Sequence, residues 1–198
     1  MEQELNDINF DNYVVVGVSA GPDSMCLLNL LEKKTNKIIV CHINHNIREQ
    51  SIIEEEYLKT YCQEHNLIFE SMTIKEYKEN NFENEARKIR YKFFSDVIKI
   101  HPNKFILTAH HKNDDIETMI LQINRNNIVD YYGLKEKNDI FGVTVIRPIL
   151  NYTKLEIIEY LTKNDISFYD DPTNYEQERK RNILRANLKN IDYNHYKN

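Results

Sequence analysis

Residues 14–28 read VVVGVSAGPDSMCLL, and this stretch decides the fold. Val14, Val15 and Val16 are β-branched and suit a strand. Ser19-Ala20-Gly21 is turn material, Pro22 suits a first helical position, and Asp23-Ser24 opens an apolar helix. A strand that passes through a tight turn straight into a helix leaves the first-turn amides without intrahelical partners. They point outward at the positive end of the helix dipole, where phosphate binds. An acid at such a site sits badly against phosphate itself. Asp23 makes sense if a divalent cation lies between carboxylate and phosphate. The stretch has neither the Gly-Lys-Ser/Thr ending of a Walker loop nor the three-glycine spacing of a dinucleotide fingerprint. A plain strand–helix junction is the competing reading, since Asp and Ser are ordinary first-turn residues.

The chain has 198 residues, enough for one well-cored domain with a short appendage. Hydrophobic residues make up 41% and charged residues 29%, the balance of an ordinary soluble protein. Its 26 Lys and Arg against 31 Asp and Glu leave a net charge of −5, which argues against a general nucleic-acid coat or a membrane-surface protein. Cys26, Cys41 and Cys62 form no C-x-x-C pair and are too few for a disulfide framework, so reduced thiols are expected. The acidic start MEQELNDINF has no apolar signal region, and no run approaches a membrane span. A cytoplasmic protein without membrane contact is the expectation.

Outward from the opening stretch, 14–18, 37–44, 67–74 and 104–109 read as strands, while 24–34, 51–66 and 82–100 read as helices. Alternation of this kind predicts an α/β fold: a parallel sheet with helices on both faces. Ligands of such sheets bind beyond the carboxyl ends of the strands. Three polar clusters fall there, at 19–24, 42–48 and 110–118. A further helix is expected to run to about Arg125, followed by a polar mobile segment at 126–138. Residues 143–150 predict another strand, and Thr153 with Glu156 a capping box at the start of a helix.

Within 110–118, His110, His111, Asp114 and Glu117 have helical spacing, with Asp114 and Glu117 near one face. Two carboxylates beside histidines could hold a metal, bind an ammonium group or do acid–base work. A solvated helix start is the plainer reading. Zinc is disfavoured, because a second ligand pair is missing. Arg87 and Arg90 lie one turn apart, as a salt-bridge face or a phosphate-facing pair. The run Arg179, Lys180, Arg181 and Arg185 is either a solvated helix or an RNA contact; basic residues gathered on an acidic chain tilt the reading toward RNA.

Ser19-Ala20-Gly21-Pro22-Asp23-Ser24 resembles the PP-loop of the ATP pyrophosphatase superfamily. Further landmarks are His42-Ile43-Asn44-His45 with Arg48, Glu85-Ala86-Arg87 with Arg90-Tyr91, and Ala109-His110-His111 with Asp114, Glu117 and Thr118. To these are added Arg147-Pro148-Ile149-Leu150, and Asp171-Pro172-Thr173-Asn174 with Arg181-Asn182 and Arg185. In this order and spacing they resemble the tRNA(Ile)-lysidine synthetase family, over about residues 12–186. The resemblance implies the adenine nucleotide α-hydrolase-like fold of the PP-loop ATPases. It implies a PP-loop N-type ATP pyrophosphatase catalytic domain at 1–186 and a short tail at 187–198, a minimal form without the C-terminal tRNA-binding domains of many members.

The implied reaction has two steps on the wobble cytidine of the CAU anticodon of tRNA(Ile). ATP adenylates the cytosine C2 oxygen and releases pyrophosphate. The ε-amine of L-lysine then displaces AMP. ATP-binding would fall to Ser19, Ala20, Gly21, Pro22, Asp23 and Ser24, with Asp23 holding Mg²⁺. Asp114 and Glu117 would bind lysine, His111 would lie near the reacting base, and Arg87 would stabilise phosphate charge. Arg125, Arg181 and Arg185 would dock the tRNA. A monomer or homodimer is expected. Three departures stand out. Ala20 replaces the family's first loop glycine, which costs about 1 kcal/mol or more if the position needs a positive φ. Asn113 replaces an aspartate. The family's glycine-rich stretch is here Arg125-Asn126-Asn127-Ile128-Val129-Asp130-Tyr131-Tyr132-Gly133-Leu134. Two other readings stay open: a PP-loop tRNA thiolase, against which the missing cysteine pairs count, and a non-catalytic adenine-nucleotide-binding module.

Overall fold

A computed structural model describes residues 1–46, 50–77, 82–101, 103–126 and 128–169. The opening stretch folds as read, with strand β1 at Val14–Gly17 and helix α1 at Pro22–Glu32. After it come β2 (Ile38–Asn44), α2 (Gln50–Glu64), β3 (Ile68–Thr73), α3 (Phe82–Ile100), β4 (Phe105–Leu107), α4 (Lys112–Asn124), β5 (Lys137–Ile140), β6 (Val143–Ile146) and α5 (Lys154–Lys163). A 3-10 turn at Glu2–Leu5, which the acidic N-terminus did not suggest, buries Leu5 completely.

The six strands form one sheet in the order β3-β2-β1-β4-β6-β5, parallel except for β5. Helices cover both faces, as period-2 alternation along the buried strands requires. Val14, Val16, Ile38 and Val40 face α1, α2 and α5 through Leu27, Leu58, Ile157 and Leu161. Val15, Ile39, Ile106 and Val145 face α3 through Tyr91, Phe94 and Val97. Two expectations change here. The strand expected at 143–150 stops at Ile146, where Arg147 and Pro148 turn the chain. The polar segment 126–138 contributes the start of β5, an antiparallel edge strand paired Lys137 to Ile146 and Ile140 to Val143.

Topology locates the site. From β1 the chain moves outward through α1 to β2, whereas from β4 it moves the other way through α4 to the edge strand β5 and back to β6. Adjacent strands whose following loops diverge leave a crevice at their carboxyl ends. The loop after β1 carries Ser19–Ser24, and the loop after β4 carries His110–Asp114. The sheet order therefore brings the two polar clusters together.

Candidate active site at the sheet switch point

The turn after β1 is set by its backbone. Val18 continues the strand ladder by donating its amide to the Cys41 carbonyl at 2.9 Å. Ala20 then takes φ of 64°, the left-handed region, with its side chain fully buried. Gly21 takes φ of −73° and ψ of 163° as the N-cap of α1, so the conformation that favours glycine falls one residue earlier, on the alanine. Two bonds stabilise this bend: the Ser24 hydroxyl donates to the Gly21 carbonyl at 2.9 Å, and the Ser19 amide donates to Ser24 Oγ at 3.1 Å. The Tyr169 amide closes over it, donating to the Ala20 carbonyl at 2.9 Å. Ser24 thus serves the bend itself, and the amides of Asp23 and Ser24 stand at the open end of α1.

Three helix starts meet at this point. Asp23, in the first turn of α1, accepts a hydrogen bond at 2.6 Å from Nζ of Lys154, the first residue of α5. The Lys154 amide in turn donates to Asn113 Oδ1 at 3.0 Å, in the first turn of α4. The Lys112 amide of α4 donates to the Tyr152 carbonyl just ahead of α5, at 2.8 Å. The positive ends of α1, α4 and α5 therefore converge, each adding a partial positive charge that attracts anions. Asn113 has a clear place here: it ties α4 to the start of α5.

His111 lies against the same carboxylate. It is buried as the N-cap of α4, with Nε2 3.7 Å from Asp23 Oδ2 and 3.5 Å from Asp114 Oδ2, longer than hydrogen bonds but within electrostatic reach. Its Nδ1 is buried with no hydrogen-bond partner among the described residues. Asp114 Oδ2 accepts the His111 amide at 3.1 Å, so this acid also caps α4. Glu117, one turn on, is 1% exposed. Burial of a carboxylate is unfavourable unless it meets a cation or donors, which suits a site for an ammonium group. His110 turns aside to Thr108, with Nδ1 2.9 Å from Oγ1.

The sequence-derived candidates divide accordingly. Ser19, Ala20, Gly21, Pro22, Asp23, Ser24, His111 and Asp114 gather at the switch point, with Glu117 buried in the same α4. Arg87 is exposed on α3, its guanidinium 5.3 Å from the Tyr91 ring centre, and none of its described contacts reaches the loop. Arg125 is exposed at the C-cap of α4. Arg48, Arg181 and Arg185, with Asp171-Pro172-Thr173-Asn174, lie outside the described residues. Lys154 was missed by the sequence reading. Its signal was a cation in the first turn of a helix, where the dipole favours acids. Arg147 is structural: it is buried, and its guanidinium donates to the Lys135 carbonyl at 2.6 Å and Asn138 Oδ1 at 2.7 Å, fastening the approach to β5.

The segment after α4 is anchored as well. The Gly133 amide donates to Gln122 Oε1 at 2.7 Å, and the Leu134 amide donates to Asp115 Oδ1, both acceptors on α4. Gly133 has φ of 86°, and a Cβ there would fall 2.2 Å from Asp115 Oδ1. Only glycine permits that approach.

Asp23 can serve a hard cation. Among the described residues no cluster of three or more His, Cys, Asp or Glu forms a metal site. Mg²⁺ in nucleotide sites needs no such cage, since one carboxylate, phosphate oxygens and water complete its octahedron. The partly exposed Asp23 carboxylate, beside helix starts that attract phosphate, fits that donor set.

An α/β sheet with an anion-attracting switch-point crevice defines a nucleotide- or phosphate-binding class. The profile of the PP-loop domain family matches residues 1–191, and the chain belongs to that family. It is 39% identical over 186 residues to the tRNA(Ile)-lysidine synthase of Mesoplasma florum, covering 92% of this chain and 47% of that protein. It is 40% identical over 189 residues to the enzyme of the same name from Mycoplasma mycoides subsp. mycoides SC, covering 93% of this chain and 47% of that protein. The chain spans about half the length of these curated relatives. Among solved structures, the U34-tRNA thiolase NcsA of Methanococcus maripaludis superposes with a TM-score of 0.76 at 16% identity, over 98% of this chain and 73% of that one. The NH3-dependent NAD synthetase of Campylobacter jejuni gives 0.56 at 16% identity, over 83% and 69%. At such identities the likeness concerns the fold, and it agrees with the expected architecture. No described helix is long and apolar enough to cross a membrane.

Proposed function

We propose that this chain carries the catalytic domain of a tRNA(Ile)-lysidine synthetase, which joins L-lysine to C2 of the wobble cytidine of a CAU anticodon at the expense of ATP. The observation that carries the reading is the convergence of three helix starts on Asp23, beside a buried imidazole and the Asp114–Glu117 carboxylates. Identity of 39% and 40% with lysidine synthases supports it over other chemistries of the fold.

The triphosphate of ATP lies across the start of α1, on the amides of the 19–24 loop. Asp23 would hold Mg²⁺, and the ion would supply charge neutralisation on the departing pyrophosphate. The cytosine C2 oxygen attacks the α-phosphorus, the bond to the bridging oxygen breaks, and pyrophosphate leaves. His111 lies beside the reacting base, and Arg87 offsets phosphate charge. Asp114 and Glu117 bind free lysine through its positive charge. The neutral ε-amine attacks C2, expels AMP with its oxygen, and loses a proton. Arg125, Arg181 and Arg185 contact the tRNA backbone. Holding three substrates in register supplies much of the rate.

A cluster-dependent thiolase is not favoured by the cysteines. Cys26 and Cys62 lie in the core on one face of the sheet and Cys41 on the other, all buried. Incubation with ATP, radiolabelled lysine and a CAU-anticodon tRNA(Ile) tests the proposal. Label should enter the tRNA with one AMP and one pyrophosphate per lysine. Folded protein that binds ATP and transfers no label would contradict it.

A further inference from the structure

Lys154 is a cation at the centre of the site, and no step above uses it. It stands at the first position of α5, where the helix dipole repels a positive charge. The position is offset by Asp23, whose Oδ1 receives its Nζ at 2.6 Å. Both side chains are partly open, Lys154 at 39% and Asp23 at 29%, so the ammonium can leave the carboxylate without breaking the core. A divalent cation and an ammonium group cannot share one carboxylate oxygen without strong repulsion. A metal ion that binds Asp23 through Oδ1 displaces Nζ from it. Its four-carbon stem, pinned at the amide by Asn113, leaves it within reach of the anion that the three helix starts attract.

We infer that Lys154 is a charge-exchange residue: it neutralises Asp23 in the empty site and moves to the β- or γ-phosphate oxygens when the metal–nucleotide complex takes its place. This rests on the nucleotide part of the proposed function and on no step involving tRNA or lysine. In the empty state the ammonium competes with the cation, and in the loaded state it supports the triphosphate. Its removal must therefore move two affinities in opposite directions.

The test compares the protein with Lys154→Met, which keeps the stem, Lys154→Gln and Lys154→Arg. Binding of Mn²⁺ alone to nucleotide-free protein is read by electron paramagnetic resonance. Binding of the magnesium complex of a non-hydrolysable α,β-methylene ATP is read by calorimetry. Lys154→Met should bind Mn²⁺ about threefold to fivefold more tightly, as loss of one partly exposed ion pair allows. The same variant should bind the nucleotide about tenfold or more weakly, as loss of a charge-assisted phosphate contact requires. Lys154→Arg should restore the nucleotide affinity. Lys154→Gln gives the same pair of readings should the methionine variant not fold. Parallel weakening of both ligands would mark a structural ion pair and overturn the inference, as would unchanged nucleotide affinity. Failure of lysine transfer with these shifts intact would refute the proposed function and leave the assignment of Lys154 standing.

Discussion

Replacing Ala20 tests the strain in the loop directly. An L-residue in the left-handed region is disfavoured by about 1–2 kcal/mol, which glycine would relieve. Against this, Ala20→Gly removes a fully buried methyl, about 0.8 kcal/mol, and adds about 0.4–1 kcal/mol of unfolded-chain entropy. These terms nearly cancel, so Ala20→Gly should shift unfolding free energy by less than about 1 kcal/mol despite the unfavourable φ of 64°. Ala20→Val has no compensation. A β-branched side chain is a true outlier at positive φ, and two extra methyl groups overpack a site with no exposed surface, so a loss above about 3 kcal/mol is expected. Urea unfolding followed by far-ultraviolet circular dichroism, with the slope checked for constancy, reads both. A glycine variant more stable by about 2 kcal/mol would show that the methyl contributes nothing, and a valine variant as stable as the parent would show that residue 20 is not held left-handed in the core.

Gly133→Ala should destabilise by about 2–3 kcal/mol in the same assay, because positive φ and the displaced Asp115 acceptor act together; an unchanged midpoint would mean that the segment is not docked on α4. Burial pushes the Cys26 and Cys62 thiols up to about 12 and raises Cys41 as well, so no thiolate forms at pH 8. Ellman's reagent should react with none of the three until urea unfolds the chain, and one stoichiometric native thiol would refute this. Burial lowers the His42 imidazole below its usual 6.5, with only partial opposition from its bond to the Val18 carbonyl and from Glu55. Because that carbonyl accepts at 2.9 Å, Nδ1 carries the proton of the neutral ring. The unfolded chain then binds more protons than the native one, so stability is full above about pH 6.5 and declines as pH falls toward the lowered native value. His42→Gln should flatten that decline between pH 7 and 5; equal slopes would contradict it.

The fold was legible where pattern and physics coincide. β-branched runs marked the inner strands, and alternation with helices forced a parallel sheet whose switch point lies beside β1. Thr153 and Glu156 announced the start of α5 by local chemistry alone, and the Glu156 amide does donate to Thr153 Oγ1 at 3.3 Å. Lys137–Ile140 was not legible: an edge strand open to water needs no apolar alternation, and the pairing with β6 that creates it is tertiary. The acids and histidines of the site could be read because they cluster in sequence. Lys154 could not, because its partner Asp23 stands 131 residues away and only the folded sheet brings them together. Asn113 was visible only as a departure from a family pattern, and its purpose, holding the Lys154 amide, is a contact between two helices.

On the proposed function, Asp23 serves an adenylating site and Glu117 a lysine site on one crevice. Release of labelled pyrophosphate from ATP, measured with CAU-anticodon tRNA(Ile) and with or without lysine, separates them. The protein should release pyrophosphate only with the tRNA. Asp23→Ala should abolish release, and Glu117→Ala should retain it while lysine transfer to the tRNA falls sharply. Normal release by Asp23→Ala, or undiminished lysine use by Glu117→Ala, would overturn these two assignments.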